Sequence, residues 1–220
     1  AKNPKNSKKI LGIIIKKYKN LFFTMKLIYL QFANCESQIK TSIMKKHNGM
    51  RPQDIVILLK ILSMKKDDWY YADLANSLKI SASEVSEALN RCKIARLIDS
   101  KKRKVHTHSL YEFLSYGLKY VFPAEPGPIV RGVPTAHSAS PVNKHVSSGK
   151  ETYVWPYAKG TKRGQAIEPL YRTIPEVAHE DNLFYELLVI VDTIRIGRVR
   201  EIKFATEELE KRILNVQLKH

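Results

Sequence analysis

Cysteine is scarce in this 220-residue chain, which contains only Cys35 and Cys92. Two cysteines do not make the disulfide framework of a small secreted domain, and a reducing cytoplasm is the simplest interpretation. No apolar run reaches the ~20 residues that a membrane-spanning helix needs. The apolar run at residues 10–15 follows two lysines, but it ends in two more and no small-residue cleavage site follows it. We therefore expect a cytoplasmic protein that does not enter a membrane.

Catalytic motifs are also missing. The chain has no nucleophile elbow and no His-Glu-x-x-His motif, and residues 148–151 and 160–164 lack the spacing of a P-loop. His106 and His108 have a spacing that can bind a metal from one strand, but no further ligand stands near them in the sequence. A hydrogen-bonded pair is the preferred interpretation. The sequence predicts neither an enzyme nor a metal or other cofactor.

Acidic side chains are nearly absent from residues 1–49, which hold eleven lysines and the single acid Glu36, a net charge of +10. The other 171 residues hold 27 basic and 20 acidic side chains, a net charge of +7. More than half of the excess therefore comes from less than a quarter of the chain, and the total of +17 overstates what a globular part offers to a polyanion. The remaining +7 still favours nucleic acid as a partner.

Residues 1–49 have two interpretations. Scattered apolar residues among the lysines are typical of a basic amphipathic arm for a membrane surface or for DNA. The preferred hypothesis is a non-native or mobile extension. It rests on residues 50–54, Met-Arg-Pro-Gln-Asp, which carry the start signals of a new helix, with proline in the first turn and an acid after it.

Residues 52–107 show a sequence of elements with a known arrangement. A first helix is predicted from Pro52 to Met64, and a short helix with a break after it follows Trp69. Ser81 and Glu84 are then spaced as a capping box, which starts the next helix, the second of the helix-turn-helix pair. Two short strands that flank four consecutive cations complete the order. The apolar face of the helix after the capping box is Val85, Ala88, Leu89 and Cys92.

Residues 74–99, LANSLKISASEVSEALNRCKIARLID, resemble the core of bacterial winged helix-turn-helix regulators of the MarR, GntR and IclR type. The resemblance extends over about residues 50–108, and Arg96 stands where these families often have a glycine. It implies that the helix after the capping box enters the major groove of DNA, while the hairpin, or wing, lies along the backbone. The alternatives are a winged helix that binds protein and a plain three-helix module.

The predicted DNA-binding residues form two groups. Base reading is assigned to polar residues on the outer side of the helix, because asparagine can pair bidentately with adenine and glutamate can accept from cytosine. Backbone contact is assigned mainly to cations, since cations at phosphates release counterions. The base-reading residues are Ser83, Ser86, Glu87 and Asn90, and the backbone-binding residues are Ser81, Arg91, Lys93, Lys101, Lys102, Arg103 and Lys104.

Three segments are predicted after residue 108. A connecting helix covers 109–123, an irregular Pro/Gly-rich segment wraps the surface over 124–168, and 169–220 form C-terminal helices. One of these runs from about Pro175 to Ile196 and ends at Gly197, and the next begins between Val199 and Thr206. Six apolar residues predict an interface with the winged unit or with a second protomer; they are Leu183, Phe184, Leu187, Leu188, Val191 and Ile194.

Cations in the irregular segment have two readings. Arg131, His137 and Arg163 either form an anion pocket or are solvated, the second being preferred.

For the whole chain we expect a mainly α (α+β) fold and a dimeric, sequence-specific transcriptional repressor that binds double-stranded DNA. The alternative is an antitoxin-like interaction module that also represses its own operon, with residues 124–220 holding a protein partner.

Overall fold

The computed structural model describes residues 49–66, 68–145 and 151–214. The described residues form one compact unit, and the predictions made for residues 1–48 lie outside them. The described part is mainly helical with one small three-stranded sheet, which confirms the α+β class. None of its helices is both long enough and apolar enough to cross a membrane.

Three helices form the first part of the unit, and their local signals explain where they begin. In the first, proline occupies the first turn and Asp54 Oδ2 accepts a hydrogen bond from the backbone N–H of Arg51 at 2.8 Å. The predicted capping box is confirmed: Glu84 N donates to Ser81 Oγ at 3.2 Å, and Ser81 N donates to Glu84 Oε2 at 3.0 Å. The helices are α1 (Pro52–Met64), α2 (Tyr71–Leu78) and α3 (Ala82–Ile94).

Helices α2 and α3 each end in a hydrogen-bonded turn of the same type. Lys79 and Arg96 follow them with φ of 53° and 59°, in the left-handed region. In the second turn, Leu97 N donates to the carbonyl of Cys92 at 3.0 Å and Arg96 N to that of Lys93 at 3.0 Å, the Schellman pattern. The sequence has no glycine between Gly49 and Gly117, so longer side chains occupy positions that glycine usually takes.

Residues 97–106 form a hairpin, here named the cationic hairpin. Its two predicted strands are reduced to a single antiparallel bridge between Ile98 and Val105. Side-chain bonding replaces a longer ladder, because the Asp99 carboxylate accepts from the backbone N–H groups of Arg103 at 2.6 Å and Lys104 at 3.0 Å. The hairpin is therefore held by its turn.

The connecting helix begins at Thr107 and is continuous to Val121. It comprises α4 (Thr107–Glu112), a π-helical turn (Phe113–Gly117) and α5 (Leu118–Val121). The prediction that His106 and His108 share a strand is wrong. His106 Nδ1 hydrogen-bonds the carbonyl oxygen of Arg96 at 2.8 Å, and His108 lies within α4, 3.5 Å from Glu112.

Segment 124–168, which was predicted to be irregular, contains the sheet. The three strands are β1 (Ile129–Pro134), β2 (Tyr153–Pro156) and β3 (Lys162–Ala166). Strand β1 is antiparallel to both others, β2 and β3 are parallel, and the sheet closes on itself. A Cβ on Gly132 would lie 2.0 Å from the carbonyl oxygen of Trp155, so only glycine permits this approach. The sequence pattern does not predict these strands, because prolines and glycines interrupt the alternation of apolar and polar residues.

The C-terminal helices are α6 (Ile174–Val177), α7 (Asn182–Ile196) and α8 (Val199–Ile213). The predicted helix from residue 175 is divided at Asp181, whose Oδ1 accepts from Phe184 N at 3.0 Å and caps α7. Gly197 ends α7 as predicted, although its backbone is extended instead of left-handed. The last helix starts at Val199, within the predicted range.

One hydrophobic core joins the helices, the cationic hairpin and strands β1 and β2. Of the six apolar residues predicted to form an interface, all but Leu183 are fully buried inside the chain, where α7 packs against α1 and α8. The first of the two predicted interfaces, with the α1–α3 unit, is therefore the one observed. The segments predicted on either side of residue 108 do not form separate cores.

Candidate nucleic-acid interface

The outer face of α3 is polar and exposed. Ser83, Glu87, Asn90 and Ile94 form one line along it at helical spacing, while Ser86 lies at its side and is half-buried. The opposite face is the buried one that the sequence predicted. No hydrogen bond joins the Asn90 amide to another described residue. All four predicted base-reading residues thus lie on or beside one outward face.

Glu87 has a charged neighbour at the edge of this face. Its Oε2 lies 3.9 Å from Nη1 of Arg91, one helical turn further along. The Glu87 side chain is about half exposed, so this contact with Arg91 is weak. Glu87 still presents carboxylate oxygens, which accept but do not donate hydrogen bonds.

Arg91, which was predicted to contact the DNA backbone, is 7% exposed and points inward. Its Nη2 donates to Asp54 Oδ1 at 2.6 Å and its Nε to Asp54 Oδ2 at 2.9 Å, and Asp54 is fully buried. The hydrogen bonds that the guanidinium donates to Asp54 raise the pKa of Arg91. The predicted phosphate contact is wrong, because the Arg91 guanidinium is used to join α3 to α1.

Ser81 and Lys93 differ in what they offer. The Ser81 hydroxyl is exposed, but it accepts from Glu84 N and donates to Glu84 Oε2 at 2.8 Å. The hydrogen bonds that the Ser81 backbone N–H and then its hydroxyl donate to Glu84 Oε2 lower the pKa of the Glu84 carboxyl. Lys93 is exposed and makes no ion pair with a described residue. Of the two, Lys93 is the one whose polar group is available to a ligand.

The four cations at the tip of the cationic hairpin are not equivalent. Lys101 and Lys104 are exposed, with no carboxylate of the described residues within ion-pair distance. Lys102 is half-buried with φ of 57°. Arg103 lies over the Trp69 ring, 5.1 Å from its centroid, and donates to the Trp69 carbonyl oxygen. Arg103 thus fixes the hairpin against residue 69, and the two lysines carry its available charge.

Asp99 organises the same turn. Burial acts to raise the pKa of its carboxyl, but backbone N–H groups of Lys104, Arg103 and Lys101 outweigh burial and lower it. The turn is therefore held by an ionised carboxylate at neutral pH.

A segment that sequence reasoning missed contacts the junction of α2 and α3. Tyr171 Oη donates to Glu84 Oε1 at 3.3 Å, and Thr173 Oγ1 donates to the carbonyl of Leu78 at 2.8 Å. Lys79 Nζ lies 2.5 Å from Glu176 Oε1 in an exposed ion pair. The sequence separations are 87 to 97 residues, so no local pattern signals these contacts.

The described residues contain no group of three or more His, Cys, Asp or Glu side chains placed to hold a metal ion. Cys92 is buried, and burial, with the Asp54 charge, raises the pKa of its thiol. A buried protonated thiol is a weak nucleophile, so Cys92 acts as a small apolar residue.

Comparisons of the chain with family models, with curated proteins and with solved structures found no match.

Proposed function

We propose that the chain is a sequence-specific, DNA-binding transcriptional regulator of the winged helix-turn-helix type, a repressor that acts as a dimer. The observation that carries the proposal is the outward polar face of α3, on which Ser83 and Asn90 are exposed. An α-helix fits the major groove, where an amide pairs with adenine and a carboxylate accepts from cytosine. Glu87 and Ser86 supply the remaining polar groups of that face.

Backbone affinity would come from a smaller set of cations than the sequence predicted. Lys101 and Lys104 of the cationic hairpin and Lys93 near the end of α3 are exposed. Each lysine that meets a phosphate releases counterions, and this supplies sequence-independent affinity. In this proposal the cationic hairpin is the wing.

The rigidity of α3 supports a reading role. Its N-terminus is capped by Ser81, its buried side is tied to α1 by Arg91 and Asp54, and Tyr171 contacts Glu84. A recognition element held by packing and hydrogen bonds keeps its base-reading groups in position before DNA arrives. Little ordering entropy would then be lost on binding.

Dimerisation is proposed through the connecting helix. Tyr116 and Tyr120 are 68% and 74% exposed and lie one turn apart, and Val121 beside them is 51% exposed. Next to Tyr116 is an open groove that is lined partly by Met50 and Phe113. Exposed aromatic groups beside an apolar groove suit a second copy of the chain, which would carry a second α3 to the neighbouring half-site.

The alternative function is an antitoxin-like module, and the same exposed tyrosines favour it, because tyrosine is enriched at protein interfaces. In that case the tyrosines would contact a different protein. Purification of the chain after expression of its whole native operon would distinguish the antitoxin from the repressor. An antitoxin would retain a stoichiometric protein partner, and a dimeric repressor would not.

Selection of bound duplexes from a random pool tests the proposal. A dimer should enrich two related half-sites about one helical turn apart, roughly 10 base pairs from centre to centre. Recovery of unrelated sequences with equal, salt-sensitive affinity would show non-specific binding alone and would contradict the proposal.

A further inference from the structure

The register of the small sheet opposes two arginines. Arg131 of β1 and Arg163 of β3 are directly paired in the antiparallel ladder. Such partners project to the same side of a sheet, with Cβ atoms about 4.5–5.5 Å apart, and like charges placed so are destabilising. Both residues are exposed, and no described carboxylate lies within ion-pair distance of either. The fold therefore places two arginine side chains on the same side of the sheet, without an acidic partner for them among the described residues.

Two lysines lie beside this pair. Lys162 precedes Arg163 on β3 and is paired with Gly132, so its side chain leaves the strand on the side opposite to that of Arg163. Lys159 lies in the turn between β2 and β3. Both lysines are exposed and form no ion pair with a described residue. The sheet cations are Arg131, Lys159, Lys162 and Arg163.

The sheet cations lie close to the junction of α2 and α3. The β2–β3 turn is fixed to β1 by Tyr157 N, which donates to the carbonyl of Arg131 at 3.1 Å. The pKa of the Glu176 carboxyl is lowered first by its hydrogen bond with Lys79, at the end of α2, and further by the charge of Lys159. The chain that follows β3 also reaches this junction, because Thr173, seven residues after the end of β3, donates to the carbonyl of Leu78 at 2.8 Å, and Glu176 pairs with Lys79. The sheet is therefore tied to the end of α2 by direct contacts.

We infer that the sheet cations bind the phosphate backbone of the DNA duplex that α3 reads, on the flank beyond the α2–α3 junction. The inference rests on the proposed function and enlarges the predicted footprint. Guanidinium groups suit this role, because their planar fork donates two parallel hydrogen bonds to a phosphate. A bound phosphate would also neutralise the repulsion between Arg131 and Arg163.

The experiment compares two charge-matched double variants on the selected duplex. Arg131→Ala/Arg163→Ala should lower the slope of log affinity against log salt by about 0.9 for each lost contact, or about 1.8 in all. Base preference should stay the same, and the melting temperature without DNA should not fall. The control Arg200→Ala/Lys203→Ala removes two exposed cations of α8 that form no ion pair with a described residue, and it should keep the wild-type slope.

Further variants separate the outcomes. Arg131→Lys/Arg163→Lys keeps both charges and should keep the salt slope, even if the alanine pair is poorly folded. Equal slopes for the alanine pair and wild type would overturn the inference, as would equal losses in the alanine pair and the control. If inorganic phosphate raises the wild-type melting temperature while the DNA slopes stay equal, the site binds a small phosphate ligand and the inference is wrong. Absence of any duplex binding by the wild type would overturn the proposed function as well.

Discussion

Arg91 and Asp54 form a buried, bidentate ion pair that joins α3 to α1. Two donors of the guanidinium meet two carboxylate oxygens at 2.6 and 2.9 Å, and Asp54 Oδ2 also caps α1 through Arg51 N. One carboxylate therefore starts the first helix and fixes the orientation of the helix that we propose reads DNA. The pair gives α3 a fixed angle in the absence of DNA.

Removal of one partner should be costly. Arg91→Met leaves the Asp54 carboxylate buried without its counter-ion, and a loss of about 3–5 kcal/mol in the free energy of unfolding is expected. Urea denaturation measures it. Asp54→Leu/Arg91→Met is the matched control, since replacement of both partners by apolar groups is often nearly neutral and leaves mainly the loss of the α1 cap, about 1 kcal/mol. Equal losses in the single and double variants would contradict this account of the pair.

Predictions from sequence were accurate where the signal was local. Proline and an acid mark the start of α1, and its observed bounds are the predicted Pro52 and Met64. The capping box depends on Ser81 and Glu84 only three residues apart, so their spacing alone predicted the helix start. The outward position of Asn90 followed from the same helix, because 3.6 residues per turn fix its face once the start is known.

Predictions failed where contacts join distant parts of the chain. As a cation next to the outward face of α3, Arg91 is predicted to contact DNA. No local pattern indicates that it binds Asp54, 37 residues away. The sheet was missed because its strands are four to six residues long and include prolines or glycines. Arg131 and Arg163 were noted as cations, but only the strand register shows that they are paired.

A glycine at position 96 should stabilise the protein. Arg96 has φ of 59° at the end of α3, a conformation that costs an L-residue about 1–2 kcal/mol and costs glycine little. After the greater chain entropy of glycine in the unfolded state is allowed for, Arg96→Gly should raise the unfolding free energy by about 1 kcal/mol. The control Lys93→Gly, inside α3, should lower it by a similar amount. A decrease with Arg96→Gly would show that the arginine side chain stabilises the turn.

Asp181 should make stability depend on pH. Burial acts to raise the pKa of its carboxyl, but Lys60 Nζ at 2.9 Å, the Ser63 hydroxyl at 2.6 Å and Phe184 N outweigh burial and lower it. A depressed folded-state pKa contributes stability above the unfolded value, and the contribution is lost as the pH falls through the folded value.

Asp181→Asn tests this pH dependence. The wild type should exceed the variant in unfolding free energy at pH 6, and the difference should shrink as the pH falls from about 5 towards the depressed pKa of Asp181. Asp181→Ala should lose about 1 kcal/mol more at any pH, because it also removes the cap of α7. Urea denaturation at pH 6 and pH 3 measures both effects. A difference that stays constant between the two pH values would count against the assigned ionisation.

The cationic hairpin should contribute affinity without selectivity. Lys101→Ala/Lys104→Ala removes its two exposed, unpaired cations and leaves Arg103 on Trp69. The salt slope of binding should fall by about 0.9 per lost contact, with similar weakening on all sequences. Fluorescence anisotropy over a salt series measures it, with Arg200→Ala/Lys203→Ala as the charge-matched control. An unchanged slope would mean that the lysines are solvated in the complex.

Base reading by α3 is tested at Asn90. Its amide is exposed on the outward face and is bonded to no other described residue, so Asn90→Ala removes a donor and an acceptor without leaving a partner unsatisfied. Stability should be nearly unchanged. Affinity for the selected site should fall by about 1–3 kcal/mol, with relaxed preference at one or two base positions.

The salt slope distinguishes this loss from a backbone effect. Asn90→Ala removes no charge, so its slope should equal that of the wild type, unlike the slope of Lys101→Ala/Lys104→Ala. Ser100→Ala, an exposed position in the cationic hairpin, serves as the neutral control and should keep both affinity and preference. If Asn90→Ala keeps the wild-type base preference in a new round of selection, α3 is not the element that reads sequence, and the proposed role of its outward face is wrong.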